Sequence, residues 1–124
     1  MITGIGIDAV YIKRMERWHD DKKLLQRFFS PLELEIAVSK GKGACASLAA
    51  RFAAKEAFGK ALGTGLTGIA LKDIMVINRK DGCPQMQLTA TAQKALENSG
   101  ANRVFVSLTH ERDNAIAMVV LEKV

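Results

Sequence analysis

The stretch of sequence from residue 44 to residue 65 places the strongest constraint on the fold. Alanine, phenylalanine and leucine residues fill almost every side of a helical wheel, which predicts a long buried helix at residues 44–62. Gly63 is a natural C-terminal stop for that helix. Glu56 nevertheless lies in its middle, and an ionised carboxylate is costly to bury unless a cation compensates it. We therefore predict that Glu56 either pairs with Lys60, one turn later, or holds a metal ion.

Outside this helix the sequence predicts short strands joined by turns. Residues 3–12 have the composition of a buried strand, and Gly4 and Gly6 within it indicate that another backbone or a ligand approaches closely. Two hairpins follow from alternating apolar residues, at 74–77 with 85–88 and at 103–110 with 115–121. The other predicted elements are one broken or two short amphipathic helices at 13–29, a helix from Ser30 to about 41–43, and a helix at 89–98.

The order of these elements predicts an α+β fold. Helices and antiparallel hairpins are segregated along the chain and do not alternate as βαβ units. A chain of 124 residues is long enough to bury the core of one domain. We therefore expect a single domain over residues 1–124, in which an antiparallel sheet of hairpins packs against the long helix.

The balance of charge favours an anionic partner. The formal net charge is +5 and the pI is about 9.4. Nucleic acid, a phosphorylated cofactor and an acidic protein all suit such a surface. Aromatic residues make up only 6% of the chain and are not interleaved with a basic run, so a nucleic-acid platform is disfavoured.

The sequence also indicates a cytoplasmic location. Cys45 and Cys83 lack any Cys-x-x-Cys spacing, which is typical of reduced thiols. The N-terminal segment reaches an acidic residue at Asp8 without a basic leader, unlike a signal peptide. No apolar stretch approaches the roughly 18 residues of a membrane span. We expect no membrane association.

Asp8 and His110 are candidate functional residues beside Glu56. Asp8 directly follows the apolar first half of this strand, and we expect it to act either as a cap or turn residue or as a metal ligand. One aspartate and one glutamate, completed by water and phosphate, is a usual way to hold Mg²⁺ at phosphate-transfer sites. His110 comes near the end of a strand, and we place it on the same alternating face as Ser107 and Thr109. It is either a hydrogen-bonding structural histidine or a phosphate contact or base.

Two further segments have both a structural and a functional interpretation. Residues 63–65, Gly-Thr-Gly, follow a helix C-terminus and so are not a P-loop, although their amides could approach a pyrophosphate. The basic stretch at 13–27 is either a solvated face or a surface that docks an acidic helix. Its basic residues are Lys13, Arg14, Arg17, Lys22, Lys23 and Arg27.

Five motifs in order resemble the signatures of one family. They are Gly4-Ile-Gly-Ile-Asp8, Phe29-Ser-Pro-Leu-Glu33, Arg51-Phe-Ala-Ala-Lys-Glu-Ala57, Lys60-Ala-Leu-Gly-Thr-Gly65 and Ser107-Leu-Thr-His110. The resemblance spans the whole chain. The family is that of the holo-acyl-carrier-protein synthases, the short, trimeric type of 4′-phosphopantetheinyl transferase, and it implies the 4′-phosphopantetheinyl transferase fold.

The resemblance implies Mg²⁺-dependent transfer of 4′-phosphopantetheine from coenzyme A to a serine of apo acyl carrier protein, in support of fatty-acid biosynthesis. Adenosine 3′,5′-bisphosphate is released. Asp8 and Glu56 are the implied metal ligands. The implied catalytic residues are Glu56, Asp8 and His110, and the base is left between Glu56, a metal-bound water and His110.

The resemblance also implies residues that contact the substrates. A neighbouring subunit of a homotrimer is expected to supply the segment at Thr109 and His110. The implied coenzyme-binding residues are Arg51, Lys60, Gly63, Thr64, Gly65, Gly82, Pro84, Thr109 and His110. The implied docking residues for the acidic carrier protein are Lys13, Arg14, Arg17 and Lys22.

The chain departs from the family pattern near the nucleotide. The turn reads Gly82-Cys83-Pro84 where the family often has Gly-Lys-Pro, and we expect Arg79 or Lys80 to supply the missing cation. The competing interpretation of the whole chain is a basic binding module without catalysis, in which Asp8 and Glu56 are dispensable for binding.

Overall fold

The computed structural model describes all residues from 1 to 124, and its elements follow the predicted order. The strands are β1 (Ile2–Tyr11), β2 (Ile74–Asn78), β3 (Pro84–Leu88), β4 (Arg103–Glu111) and β5 (Asn114–Glu122). The helices are α1 (Arg14–His19), α2 (Lys22–Phe28), α3 (Pro31–Ser39), α4 (Ala44–Leu62) and α5 (Ala90–Asn98). No helix is both long enough and apolar enough to cross a membrane.

Local signals in the sequence set the helix ends. The side chain of Ser30 accepts a hydrogen bond from the backbone N–H of Glu33 at 3.3 Å, and the Glu33 carboxylate accepts one from the N–H of Ser30 at 3.0 Å. This reciprocal capping box starts α3. Helix α4 ends at Gly63, whose φ of 82° is the left-handed conformation that glycine adopts without strain.

The strands form two antiparallel sheets. One has the order β1-β5-β4, and the other is the hairpin of β2 and β3. Within the larger sheet Asp8 is paired with Ala117, and His110 is paired with Ala115. The predicted α+β class is confirmed; the hairpins that we predicted as one sheet are divided between these two.

The larger sheet has one face against α4 and one face without cover. Strand β5 buries four inward side chains completely or nearly so. These are Ala115, Ala117, Val119 and Leu121. The opposite face exposes large apolar side chains, with Ile5 61%, Ile7 59%, Phe105 52% and Met118 41% exposed. We refer to these four residues as the outer apolar face.

Two glycines bring β1 directly onto the backbone of α4. A Cβ atom on Gly4 would lie 2.0 Å from the carbonyl oxygen of Ala61, and one on Gly6 would lie 1.9 Å from that of Ala57. Real Cβ atoms do not approach backbone so closely. The close approach that the glycines indicate is therefore that of the helix, and it fixes the distance between α4 and the strand that carries Asp8.

The substitution Gly6→Ala is expected to separate β1 from α4. The added methyl group meets backbone on α4, which cannot turn aside as a flexible side chain does. We expect thermal unfolding to occur about 10 °C lower, or the protein to fail to fold. Gly43→Ala is the matched control, because a Cβ there meets only the Cβ of Lys40 at 3.5 Å. Equal melting temperatures for the two variants would contradict the contact.

Candidate active site

Asp8 and Lys60 form an ion pair where β1 crosses α4. The Nζ of Lys60 lies 2.9 Å from Oδ1 of Asp8 and donates a second hydrogen bond to the carbonyl oxygen of Ile7 at 3.0 Å. The Asp8 side chain is 18% exposed and that of Lys60 is 56% exposed. Only Oδ1 of Asp8 has a side-chain partner, so its second carboxylate oxygen is uncommitted.

Glu56 lies one helical turn before Lys60 and is half-buried. Its carboxylate makes no ion pair and no side-chain hydrogen bond. The predicted pairing of Glu56 with Lys60 is therefore wrong, because the lysine reaches across to Asp8. Lys60 thus has two carboxylates as neighbours, Asp8 and Glu56. It pairs with Asp8, and the half-buried carboxylate of Glu56 has no counter-ion.

A cavity of about 500 Å³ lies between α4, the β2–β3 hairpin and the end of β4. Of the predicted coenzyme-binding residues it brings together Arg51, Gly82, Pro84, Thr109 and His110. The other residues that line it are Lys40, Gly43, Ala46, Ser47, Ala50, Asn78 and Leu108. Half of its twelve lining residues have polar side chains, and those of Lys40 and Arg51 are cationic, which suits an anionic ligand.

Arg51 lies in the wall of this cavity with one nitrogen unsatisfied. Its Nε donates to the carbonyl oxygen of Val76 at 3.0 Å, and Nη1 donates to Oγ of Ser47 at 2.7 Å. Its Nη2 is buried and has no hydrogen-bond partner. Burial lowers the pKa of Arg51, a direction that an anion in the cavity would oppose. A buried donor without a partner is rare in native proteins.

The two groups of residues lie on different sides of α4. Glu56 follows Arg51 by five residues, which rotates it by about 140° around the helix axis. Asp8, Glu56 and Lys60 form one group, and none of them lines the cavity that Arg51 and His110 share. We call the set of Asp8, Glu56 and Lys60 the carboxylate group, and we call the cavity lined by Arg51 and His110 the cation cavity.

The other predicted coenzyme-binding residues do not all line the cation cavity. Thr64 lines a separate cavity with residues of α5, and Gly63 and Gly65 both have positive φ in the turn after α4. His110 and Thr109 are consecutive on β4 and so point to opposite faces, although both line the cation cavity. Our placement of His110 on the same face as Ser107 and Thr109 was therefore wrong.

The turn between β2 and β3 leaves one cation free. Arg79 binds Asp81 with two hydrogen bonds, of 3.3 Å from Nε and 2.8 Å from Nη2. The Arg79 hydrogen bond lowers the pKa of the Asp81 carboxyl. Lys80 has no such partner. Of the two residues expected to replace the family's lysine, Lys80 is the one whose charge is uncommitted.

Sequence reasoning missed the buried partner of Lys55. Lys55 is completely buried and donates to Glu33 at 2.9 Å, to the carbonyl oxygen of Leu71 at 2.8 Å and to that of Ile74. Glu33 also accepts the backbone N–H of Val76 at 3.1 Å. The capping box explained Glu33 locally, and nothing in the spacing pointed to a lysine 22 residues away. This pair ties α3 and β2 to α4 behind the site.

The cationic residues predicted to dock a partner lie on α1 and α2 and in the residue before α1. Lys13, Arg14, Arg17 and Lys22 are all exposed. None of them makes an ion pair. Their charges are therefore available to another molecule.

Comparison with known proteins identifies the family. The 4′-phosphopantetheinyl transferase superfamily matches residues 4–119. The holo-[acyl-carrier-protein] synthase of Treponema denticola is 57% identical over 122 residues, which are 98% of this chain and 99% of that protein. The corresponding protein of Geotalea daltonii is 44% identical over 126 residues, covering 99% of this chain and 100% of its own.

Solved structures of similar proteins support the same family assignment. Holo-[acyl-carrier-protein] synthase from Neisseria meningitidis has a TM-score of 0.88 and 39% identity and covers 99% of this chain and 100% of its own. The Helicobacter pylori synthase, solved in complex with coenzyme A, has a TM-score of 0.80 and 33% identity. The match covers 95% of this chain and 99% of that protein. These similarities and the fold define an enzyme of the 4′-phosphopantetheinyl transferase class. Within that superfamily the chain belongs to the holo-acyl-carrier-protein synthases.

Proposed function

We propose that the enzyme transfers 4′-phosphopantetheine from coenzyme A to a serine hydroxyl of apo acyl carrier protein. The serine oxygen forms a bond to the phosphorus that bears pantetheine, and the bond from that phosphorus to the leaving phosphate breaks. Adenosine 3′,5′-bisphosphate leaves, and the serine proton passes to a base. The observation that carries the proposal is the arrangement of the carboxylate group. Lys60 pairs with Asp8, and the neighbouring Glu56 is left without a counter-ion.

The carboxylate group fits Mg²⁺. Asp8 and Glu56 supply oxygen ligands, and no cluster of three or more histidine, cysteine or acidic side chains exists in the chain. Mg²⁺ at phosphate-transfer sites is usually held by one or two carboxylates and completed by water and substrate phosphates. Bound there, Mg²⁺ would neutralise charge on the pyrophosphate.

The chain's own residues have separate roles in this proposal. Lys60 adds positive charge next to the pyrophosphate, and the amides of the turn at 63–65 lie further along the coenzyme. Glu56 is our choice for the base that accepts the serine proton, and His110 is the alternative. In the cation cavity, Arg51 provides positive charge for a phosphate of the nucleotide, near Gly82, Pro84 and Thr109.

We further propose a homotrimer whose active sites lie between subunits. Two observations support it. The carboxylate group and the cation cavity lie on different sides of α4, so that a neighbouring copy is needed to join them. The outer apolar face, with Ile5, Ile7, Phe105 and Met118, also needs a cover, and a second copy supplies one.

Ile7→Lys is expected to dissociate the assembly. It places a charge on the outer apolar face, on the edge strand β1, where Ile7 is paired with Met118 of the central strand β5. We expect sedimentation to show monomers for the variant and trimers for the unmodified protein, with transferase activity falling in parallel. Val38→Lys is the matched control, because Val38 is 73% exposed on α3, away from the sheet. A trimeric Ile7→Lys variant would contradict the proposed interface.

The remaining parts of the proposal concern context. Residues 1–124 act as one domain, the reaction takes place in the cytoplasm, and its product serves fatty-acid biosynthesis. Both cysteines are unpaired, as a reducing compartment requires. The exposed cations Lys13, Arg14, Arg17 and Lys22 dock the acidic carrier protein.

The decisive experiment incubates the protein with apo acyl carrier protein, coenzyme A and Mg²⁺ and weighs the carrier by mass spectrometry. We expect a mass gain of one phosphopantetheine, and we expect a chelator to abolish it. No gain with several apo carriers, from a folded sample, would overturn the proposal. If that sample bound nucleic acid, the basic binding module would take its place.

A further inference from the structure

An apolar cavity of about 330 Å³ lies between α2, α3 and the start of α4. Six of its nine lining residues are hydrophobic. Leu25 comes from α2, Leu34 and Val38 come from α3, and Leu48 comes from α4. Small-molecule sites have volumes of about 300–1,000 Å³ and are lined mainly by apolar side chains. The proposed transfer reaction makes no use of this cavity, so it is open to another ligand.

A second cavity of about 300 Å³ continues the first one. Gln26 and Leu34 line both cavities, whereas Phe29 and Pro31 line only the second. Leu34 and Val38 are one helical turn apart and therefore share a face of α3. We call the two cavities together the helical groove. Because the cavities meet at Gln26 and Leu34, the groove is longer than either of them, which suits an extended hydrocarbon chain.

Cationic side chains lie in both parts of the helical groove. Lys22 lines the first cavity together with His19, and Lys72 lines the second. Both lysines are exposed, and neither makes an ion pair. No aspartate or glutamate lines either cavity. An apolar groove with cations at its rim is complementary in charge to a ligand that has an anionic head group and an apolar chain.

We propose that the helical groove binds a free long-chain carboxylate. The head group pairs with Lys22, and the chain packs along Leu25, Leu34 and Val38. Every methylene group that leaves water adds to the affinity, whereas a carboxylate drawn deeper into the groove would lose its hydration. The head group therefore stays at the exposed rim. Lys72 lines the chain with its aliphatic stem and keeps its ammonium group in water.

Occupancy of the helical groove is expected to weaken docking of the carrier protein. Lys22 is one of the four cations that we propose to dock the carrier, and a bound carboxylate would neutralise it. This consequence rests on the proposed function, whereas binding of the carboxylate does not. Hydrolysis of an acyl thioester on a carrier yields such a carboxylate. Accumulation of that product would therefore slow the activation of further carrier.

Calorimetry with the full chain and decanoate, below its critical micelle concentration, tests the binding. We expect one site per chain, with a dissociation constant of about 0.3 mM. Hexanoate should bind about a hundredfold more weakly, because its chain is shorter. Decyltrimethylammonium has the same chain and a cationic head group, and it should bind about tenfold more weakly than decanoate. Equal binding of these two amphiphiles, or no saturable binding of decanoate, would overturn the inference.

Two pairs of variants locate the site. Lys22→Met should raise the dissociation constant for decanoate about fivefold. Lys23→Met loses the same charge on α2 outside the groove and should leave it nearly unchanged. Val38→Glu should raise it about tenfold by like-charge repulsion, whereas Leu32→Glu, exposed on the same helix but outside the groove, should not. If either control weakens binding as much as its counterpart, net charge acts and the inference fails.

Kinetics separate this inference from the proposed function. With apo carrier varied at saturating coenzyme A, saturating decanoate should raise KM for the carrier about threefold and leave kcat nearly unchanged. Val38→Glu should transfer at the unmodified rate and require about tenfold more decanoate for the same effect. Its side chain is 73% exposed, so the fold should persist.

The outcomes are distinguishable. A protein that transfers phosphopantetheine but whose KM for the carrier does not respond to decanoate overturns the inference and leaves the proposed function intact. A protein that binds decanoate at Lys22 and Val38 but transfers nothing overturns the proposed function and leaves the groove assigned. Loss of the oligomer in Val38→Glu would assign the groove to a second copy of the chain and overturn the inference.

Discussion

Glu56→Gln is expected to reduce the rate of phosphopantetheine transfer by about three orders of magnitude. The amide has nearly the same size and shape as the carboxylate, so the fold should persist. It lacks the negative charge, however, and therefore holds a divalent cation poorly and accepts no proton from serine. The measurement is single-turnover transfer followed by mass spectrometry, with Mg²⁺ binding measured separately by calorimetry.

The matched control for this prediction is Glu35→Gln. Glu35 is exposed on α3, so the variant makes the same chemical change outside the carboxylate group. It should transfer at the unmodified rate. Glu56→Gln that kept most of its activity would show that the carboxylate acts neither in metal binding nor as a base, and the base would then be sought at His110.

Lys55→Met is expected to lower the free energy of unfolding by about 3–5 kcal/mol, because it leaves the buried carboxylate of Glu33 without its cation. That loss is a large fraction of the stability of an ordinary domain. Lys55 also donates to two backbone carbonyls, Leu71 and Ile74, which lose a partner at the same time. Denaturant unfolding at a fixed protein concentration measures the change.

The double variant Glu33→Gln with Lys55→Met completes the test. Removing both charges eliminates the uncompensated ion, so the pair of substitutions should cost less than the two single losses added together. Lys94→Met, at an exposed position, should have almost no effect. Additive losses would show that Glu33 and Lys55 stabilise the fold independently, in contradiction to their 2.9 Å contact.

Sequence reasoning identified the parts of the fold that local signals specify. The capping box at Ser30 and the left-handed Gly63 set helix ends within a few residues, so they could be found from sequence alone. Alternation of apolar residues likewise located the strands. Which hairpin pairs with β1 depends on contacts between residues far apart in the chain, and for this reason the division into two sheets was not predicted.

In the candidate site, too, local signals could be predicted from the sequence and contacts between distant residues could not. Spacing on α4 favoured Lys60 as the partner of Glu56. The observed partner of Lys60 is Asp8, 52 residues away in the sequence. The residues alone made Asp8 a candidate but left it between a cap or turn residue and a metal ligand, and the resemblance implied the ligand role. Local periodicity cannot report a partner on another strand, and it gave no indication that Arg14 lies over the rings of Trp18 and Phe52.

Gly4 and Gly6 contribute no side chain, yet they set the spacing between β1 and α4. The absent methyl groups let the strand rest on the carbonyl groups of α4, and this spacing decides how far Asp8 stands from the helix that carries Glu56. A mutational survey that ranked positions by the interactions they lose would place both glycines last. Tolerance at these two positions is instead set by what is gained, since even one added carbon pushes β1, and Asp8 with it, away from α4.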